Sequence, residues 1–265
     1  QDGSVLIVGG YAGGPTYLNT TSIFDPDSNT FLTAMAITDT RSRHTATLLN
    51  DGTVLVTGGQ YYLAGTVRYR DSTSRYLPDT NSWTSLAALP TGRAHHSAAL
   101  LPNGELLIAG GYNGSALTDC RIFDPDALTW SVASSLNESR YRHTTVLLPS
   151  GSLLAIGGYN GTNSQDSVER FDPSNGTRDA AGTLNNLTTP STATVLPNGR
   201  VLVTGIKLVS TVTSFTELYD PTFDVWSLHT SMHGARENNS ATLLPDGRVL
   251  VAGGYDGTNT LSSAE

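Results

Sequence analysis

This chain of 265 residues predicts an all-β fold: a radial propeller of four-stranded antiparallel blades. The first observation is a repeated block, reading H-[TS]-A-x-L-L, a two-residue turn ending in glycine, and an apolar run ending Gly-Gly. The second is its period. The turn glycines Gly3, Gly52, Gly104, Gly151, Gly199 and Gly247 stand 49, 52, 47, 48 and 48 residues apart, and such periods mark repeat architectures. The third is that no segment has helical periodicity, so the units cannot stack as a helix-containing solenoid. Four short strands per unit fit blades packed around a central axis.

Each element follows from local chemistry. Strand one is the HTATLL block, clear in residues 44–59, 96–111 and 143–158 and weaker in 191–206 and 239–254; residues 1–10 supply only its second half. Asp51-Gly52, Asn103-Gly104, Asn198-Gly199 and Asp246-Gly247 suit a type I′-like turn that pairs strand one with strand two. The Gly-Gly doublet ends strand two where no side chain fits or where positive φ is needed. A longer loop follows, such as YNGSALTD (112–119). Strand three ends in an aromatic and Asp-Pro at 23–26, 122–125, 170–173 and 218–221, because Asp-Pro forces an extended residue and then a turn. Strand four carries Phe31, Trp83, Trp130 or Trp226. Arg178 at that place, and YLPD (76–79) in place of FDP, lead us to expect degenerate outer edges in units four and two.

The units run approximately 1–40, 41–92, 93–139, 140–187, 188–235 and 236–265, one domain in all. Six blades is the expected count, with five and seven left open. Both ends fall inside a unit, so a longer polypeptide is expected.

Composition removes several function classes. A net charge of −8, with Lys207 the single lysine, does not suit a polyanion such as DNA, which needs dense basic charge. No run of 18 apolar residues suggests a membrane span. Cys120 is the only cysteine, which excludes an intrachain disulfide and a multi-cysteine metal site; on a strand it reads as a small apolar filler. Low charge content and richness in Gly, Thr and Asn point to an extracellular or periplasmic setting. The seven N-x-[ST] sequons, at Asn19, Asn113, Asn137, Asn160, Asn175, Asn186 and Asn238, matter only in a eukaryotic secretory context.

The doublet, the Tyr after it (residues 9–11, 110–112, 157–159 and 253–255), the [FY]-D-P element and the later Trp together resemble kelch repeats. The Arg-x-x-His start with L-[PN]-[DN]-G is similar to the branch seen in the galactose oxidase propeller. That enzyme's copper centre needs a Tyr–Cys crosslink and further Tyr and His ligands, which cannot be matched here, so no cofactor is expected. His44, His96 and His143 share one repeat position, which makes a hydrogen-bonding framework the expected role and leaves no metal site expected.

The resemblance implies that the segment entering each strand one lines a channel mouth. Arg41, Arg93, Arg140 and Arg236 stand three positions before the His position; Arg43, His95, Arg142 and Asn238 stand one before it. Strand alternation places both sets on one side. Arginine binds carboxylates in planar, bidentate fashion, so these six arginines, with His95, are candidates to capture an acidic sugar or acidic peptide. The competing reading is that each arginine holds neighbouring carbonyls and locks blade to blade. Tyr61, Tyr62, Tyr112 and Tyr159, in the loops after the doublets, form a second candidate surface suited to sugar stacking or protein contacts. The longest and most aromatic loop, in unit two, marks where a unique ligand site would sit.

The expected function is a non-catalytic module that recognises a protein or carbohydrate through one face. A sugar-modifying propeller enzyme of the epimerase or mutarotase type is the alternative. It needs an acid–base pair, and Glu237 is the one obvious carboxylate in the entry segments. A structural segment of a larger surface protein is the third reading. No catalytic residue is assigned.

Overall fold

The computed structural model describes residues 3–190, 192–208 and 211–265, and side chains throughout these except 186–188. The break in the repeat at Thr188 and Ser191, and the sequon at Asn186, lie outside the described side chains. The residues divide into two compact units, 1–114 with 121–132, and 115–120 with 133–265. Among the described residues there is no α-helix.

In the first unit, β1 (Val5–Gly13), β2 (Thr16–Asp25) and β3 (Thr30–Ala34) make a three-stranded sheet. The next sheet has the order β4 (Thr45–Leu48), β5 (Val54–Thr57), β8 (Thr73–Leu77), β9 (Ser82–Leu86). Between its second and third strands rises an extra hairpin, β6 (Gln60–Leu63) and β7 (Thr66–Tyr69). The third sheet is β10 (Ser97–Leu100), β11 (Leu106–Ala109), β12 (Cys120–Asp124) and β13 (Thr129–Ala133).

The second unit holds two further four-stranded sheets. One is β14 (Thr144–Leu147), β15 (Leu153–Ile156), β16 (Gln165–Asp172) and β17 (Thr177–Thr188). The other is β18 (Thr192–Val195), β19 (Val201–Thr204), β20 (Thr216–Asp220) and β21 (Val225–His229). The last pair, β22 (Ser240–Leu243) and β23 (Val249–Ala252), gains the start of a third strand where Val251 and Glu265 exchange backbone hydrogen bonds of 2.8 and 2.9 Å.

The four four-stranded sheets keep chain order and antiparallel pairing, as hairpin geometry requires. Their second strands form the core. β11 and β15 are buried along their whole length, which is why they read as unbroken apolar runs rather than alternating ones. In the first unit Leu55, Leu106, Ile108 and Phe123 pack with Leu49 and Leu89; in the second Leu154, Ile156, Val201, Val203 and Tyr219 do the same work.

The outer edges correct one expectation. Strand-three and strand-four aromatics face each other directly: Phe24 and Phe31, Tyr76 and Trp83, Phe123 and Trp130, and Tyr219 and Trp226, with centroids 4.9–5.2 Å apart. Unit two is therefore regular despite YLPD; a short 3₁₀ turn at Pro78–Thr80 replaces the Asp-Pro turn. Unit four is regular too. Arg178 lies opposite Phe171, its guanidinium carbon 5.0 Å from the ring centroid. The indole N–H groups of Trp83, Trp130 and Trp226 donate to the carbonyls of Met35, Ala87 and Ala181. Arg178 Nη2 donates to the carbonyl of Ser134, the same place in its repeat, at 2.9 Å. Guanidinium is planar and carries N–H donors, so it fills a tryptophan slot in both shape and hydrogen bonding. Cys120 is buried as a filler would be, and its Sγ is also 3.5 Å from Arg178 Nη2.

We expect Arg178→Ala to cost about 2–3 kcal/mol and Arg178→Trp less than half as much, read by urea denaturation. Equal losses in the two variants would show that the slot is not what Arg178 serves.

Candidate functional site

Five segments lead into a strand one, and a backbone bridge shapes each entry. Ser42, Ala94, Tyr141, Thr189 and Glu237 form isolated antiparallel bridges to Gln60, Tyr112, Tyr159, Lys207 and Tyr255, the residues just after the doublets. The next residue in each of four entries turns left-handed: φ is 56° at Arg43, 55° at His95, 54° at Arg142 and 55° at Asn238.

That turn corrects the expectation that both arginine sets share one side. Alternation holds only for extended backbone, and a left-handed residue between the sets breaks it. Arg41, Arg93, Arg140 and Arg236 are consequently buried, at 0%, 0%, 0% and 3% exposure, while Arg43 and Arg142 are exposed.

The buried four are framework rather than an open mouth. Nη1 of each donates to the carbonyl of the first doublet glycine in its own repeat: Gly58, Gly110, Gly157 and Gly253, at 2.7–3.1 Å. The backbone carbonyls of Arg41 and Arg93 reach the preceding repeat. Gly10 N–H donates to Arg41 and Gly59 N–H to Arg93, both at 2.8 Å. Arg140 also takes Ser167 and Glu169, with Nη2 to Glu169 Oε1 at 2.9 Å. Arg236 meets Glu265 at 2.8 Å, and Arg41 meets Asp39 at 3.4 Å. The doublet glycine follows from this packing. At Gly58, with φ of 62°, a Cβ would lie 2.5 Å from the Arg93 carbonyl oxygen and 2.8 Å from the His96 ring.

The histidines are part of the same frame. His96 Nε2 lies 3.0 Å from Thr45 Oγ1 and 3.1 Å from Thr57 Oγ1. Asn239 holds that repeat position in the last unit and donates to Thr204 Oγ1, the counterpart of Thr57, at 3.2 Å. Burial, reinforced by the charge of Arg41, lowers the pKa of His44 to about 4; a hydrogen bond that the imidazole donates to the Val8 backbone carbonyl opposes this. Burial, with Arg140 and Arg178 nearby, lowers that of His143 to about 3. Both imidazoles are thus neutral at pH 7.

What remains open to a ligand differs between units. In the first, His95 N–H donates to the Arg43 carbonyl at 3.0 Å, and His95 is half-buried. Arg70 stacks 3.7 Å over the Tyr61 ring and pairs with Asp39 at 3.1 Å, so Tyr61 is covered. Tyr62, on the same hairpin, is 42% exposed. Tyr112 meets Tyr69 edge-on at 5.6 Å. In the second unit Arg142 lies 5.9 Å over the Tyr141 ring, and Tyr141 meets Tyr159 edge-on at 5.5 Å. The Tyr159 hydroxyl donates to Thr162 of its own loop at 3.1 Å, and Asn160 closes that loop as an Asx turn.

Glu237, the candidate carboxylate, is paired with Lys207 at 2.9 Å. The sequence did not point to this pair, because its members lie 30 residues apart in two repeats that both depart from the pattern. Among the described residues no group of three His, Cys, Asp or Glu side chains is arranged to hold a metal, and no helix is long and apolar enough to cross a membrane.

Residues 1–158 match the family profile described as the KLHDC2/KLHL20/DRC7 Kelch-repeats domain, and residues 140–185 match the Kelch motif. Among solved structures, the one titled "Structure of YjhT" is similar over 97% of this chain and 92% of that chain, with a TM-score of 0.76 at 15% identity. At that identity the likeness speaks to fold alone. Comparison with curated protein sequences gives no match.

Proposed function

Because this chain belongs to the KLHDC2/KLHL20/DRC7 kelch-repeat family and is a kelch-type β-propeller, we propose that it is a binding module that captures an anionic group. The group belongs to a protein or carbohydrate ligand, and within each unit the surface used is that of the strand-one entries and the loops after the doublets. One observation carries this reading. Arg43 and Arg142 are exposed, sit in a left-handed conformation that L-residues disfavour, and have no ion-pair partner among the described residues. A non-glycine residue held there costs on the order of 1–3 kcal/mol. The arginines at 41 and 140, two residues earlier, are fully engaged in the frame. His95 and Asn238 hold the same torsion without a guanidinium, so the repeat does not require arginine there, and recognition of a carboxylate is the role that an exposed guanidinium without an ion-pair partner suits.

The test separates stability from binding. Arg43→Gly and Arg142→Gly relieve a positive φ, so the melting temperature is expected to hold or rise. Retention on immobilised polyglutamate or oligogalacturonate, measured by surface plasmon resonance, is expected to fall about tenfold for the double variant, the equivalent of about 1.4 kcal/mol. Binding that is unchanged in the double variant would overturn the reading.

A further inference from the structure

We infer that the first unit carries an oligosaccharide-binding rail of tyrosines, and that its ligand is an acidic glycan chain several sugars long. This rests on the anion-binding reading above and names the ligand class for one part of that face.

The rail is continuous across three repeats. Tyr11 and Tyr17, on the extended tip of the β1–β2 hairpin, contact each other with ring centroids 5.2 Å apart. The Tyr17 hydroxyl accepts a hydrogen bond from Gln60 Nε2 at 3.3 Å. Gln60 faces Tyr69 across the β6–β7 hairpin. Tyr69 then meets Tyr112, after the third repeat's doublet, at 5.6 Å. The order of contacts is thus Tyr11, Tyr17, Gln60, Tyr69, Tyr112, with Tyr62 beside them.

The extra hairpin makes this possible. Its Ala64-Gly65 turn, with φ of 50° and 83°, is the type I′ geometry that closes two-residue hairpins. Tyr11 is 55% exposed and Tyr62 42% exposed. A tyrosine offers a flat apolar face and a hydroxyl on a side chain with few rotors. A row of them interrupted by an amide suits a ligand that alternates apolar ring faces with hydroxyl groups, which describes an oligosaccharide. A folded protein partner would instead call for a packed apolar centre; of the larger aliphatics here, Leu63 stands at the hairpin tip and Val67 is a single exposed valine opposite Tyr62. The charge requirement comes from Arg43, next to the Ser42–Gln60 bridge. It is exposed and has no ion-pair partner among the described residues.

The whole chain is titrated by isothermal calorimetry with three probes: oligogalacturonate, a neutral oligosaccharide of matched length, and polyglutamate. Variants are Tyr11→Ala, Tyr62→Ala and Arg43→Gly, all at exposed positions outside the buried frame. We expect oligogalacturonate to bind best, and each variant to weaken it by about 3- to 10-fold. Oligogalacturonate binding that none of the three variants weakens would overturn the rail. Equal binding of the neutral oligosaccharide would overturn the acidic assignment. Polyglutamate bound in preference to oligogalacturonate would overturn the glycan inference and leave the anion-binding module standing. No binding of either anion would overturn both.

Discussion

Replacing Arg140 with leucine is expected to destabilise the protein by about 3–5 kcal/mol, whereas Arg142→Asn, two residues on, is expected to change stability by no more than about 0.5 kcal/mol. The contrast follows from what each side chain touches. Arg140 is fully buried and donates to Gly157, Ser167 and Glu169. Removing it orphans a backbone carbonyl and leaves the Glu169 carboxylate, 4% exposed, beside a lost counter-charge. Asn137 and Glu138 N–H groups still donate to that carboxylate, so Arg140→Leu with Glu169→Gln is expected to recover part of the loss by removing the charge and keeping an acceptor. Arg142 has only its distant contact with Tyr141, and Asn already occupies the same left-handed position at 238. Guanidinium chloride denaturation measures all three variants. Similar costs for Arg140→Leu and Arg142→Asn would contradict the division between frame and face.

Stability is expected to fall steeply as pH drops from about 6.5 toward 4, before most carboxylates begin to titrate. His44 and His143 are neutral in the folded state because burial lowers their pKa values to about 4 and about 3. The unfolded chain protonates them near the ordinary value of about 6.5. Between these limits the unfolded state binds more protons, so stability rises with pH: it is fully present above about 6.5 and is lost as pH falls through the window. Each histidine contributes a slope of about 1.4 kcal/mol per pH unit there. Asparagine serves this repeat position at 239, so His44→Asn and His143→Asn should fold, and each should flatten the slope by about its own share. Urea denaturation at pH 7, 6 and 5 measures this, and an unchanged slope in the double variant would be the contrary result. Below about pH 4 the loss of carboxylates such as Asp51 and Glu265, whose hydrogen bonds and arginine neighbours hold their pKa values down, acts in the same direction.

Much of the fold was legible in the chain. The Gly-terminated turns, the doublets and the aromatic-Asp-Pro elements each encode a local backbone requirement, and repetition turned five or six weak signals into one strong one. The outer edges were less legible. Arg178 broke the aromatic pattern in letters, yet it stacks on Phe171 and donates to Ser134 as an indole would. The pairing of Lys207 with Glu237 was invisible because the two meet across repeats. The tyrosine rail was only partly visible: the long loop of unit two stood out, but its contacts with Tyr17 and Tyr112 join residues from three repeats.

The repeat, the four-stranded unit, the arginines at 41, 93, 140 and 236 and the second arginines at 43 and 142 can all be read from the chain alone. Which arginines are buried in the frame and which are exposed follows from the folded backbone alone. The deciding feature is a single left-handed residue in each entry, at Arg43, His95, Arg142 and Asn238. No local sequence rule demands positive φ from arginine; the torsion recurs at His95 and Asn238, so it belongs to the repeat's backbone rather than to the side chain. That one torsion turns two arginines, which strand alternation would place side by side, into one that is buried and one that is exposed.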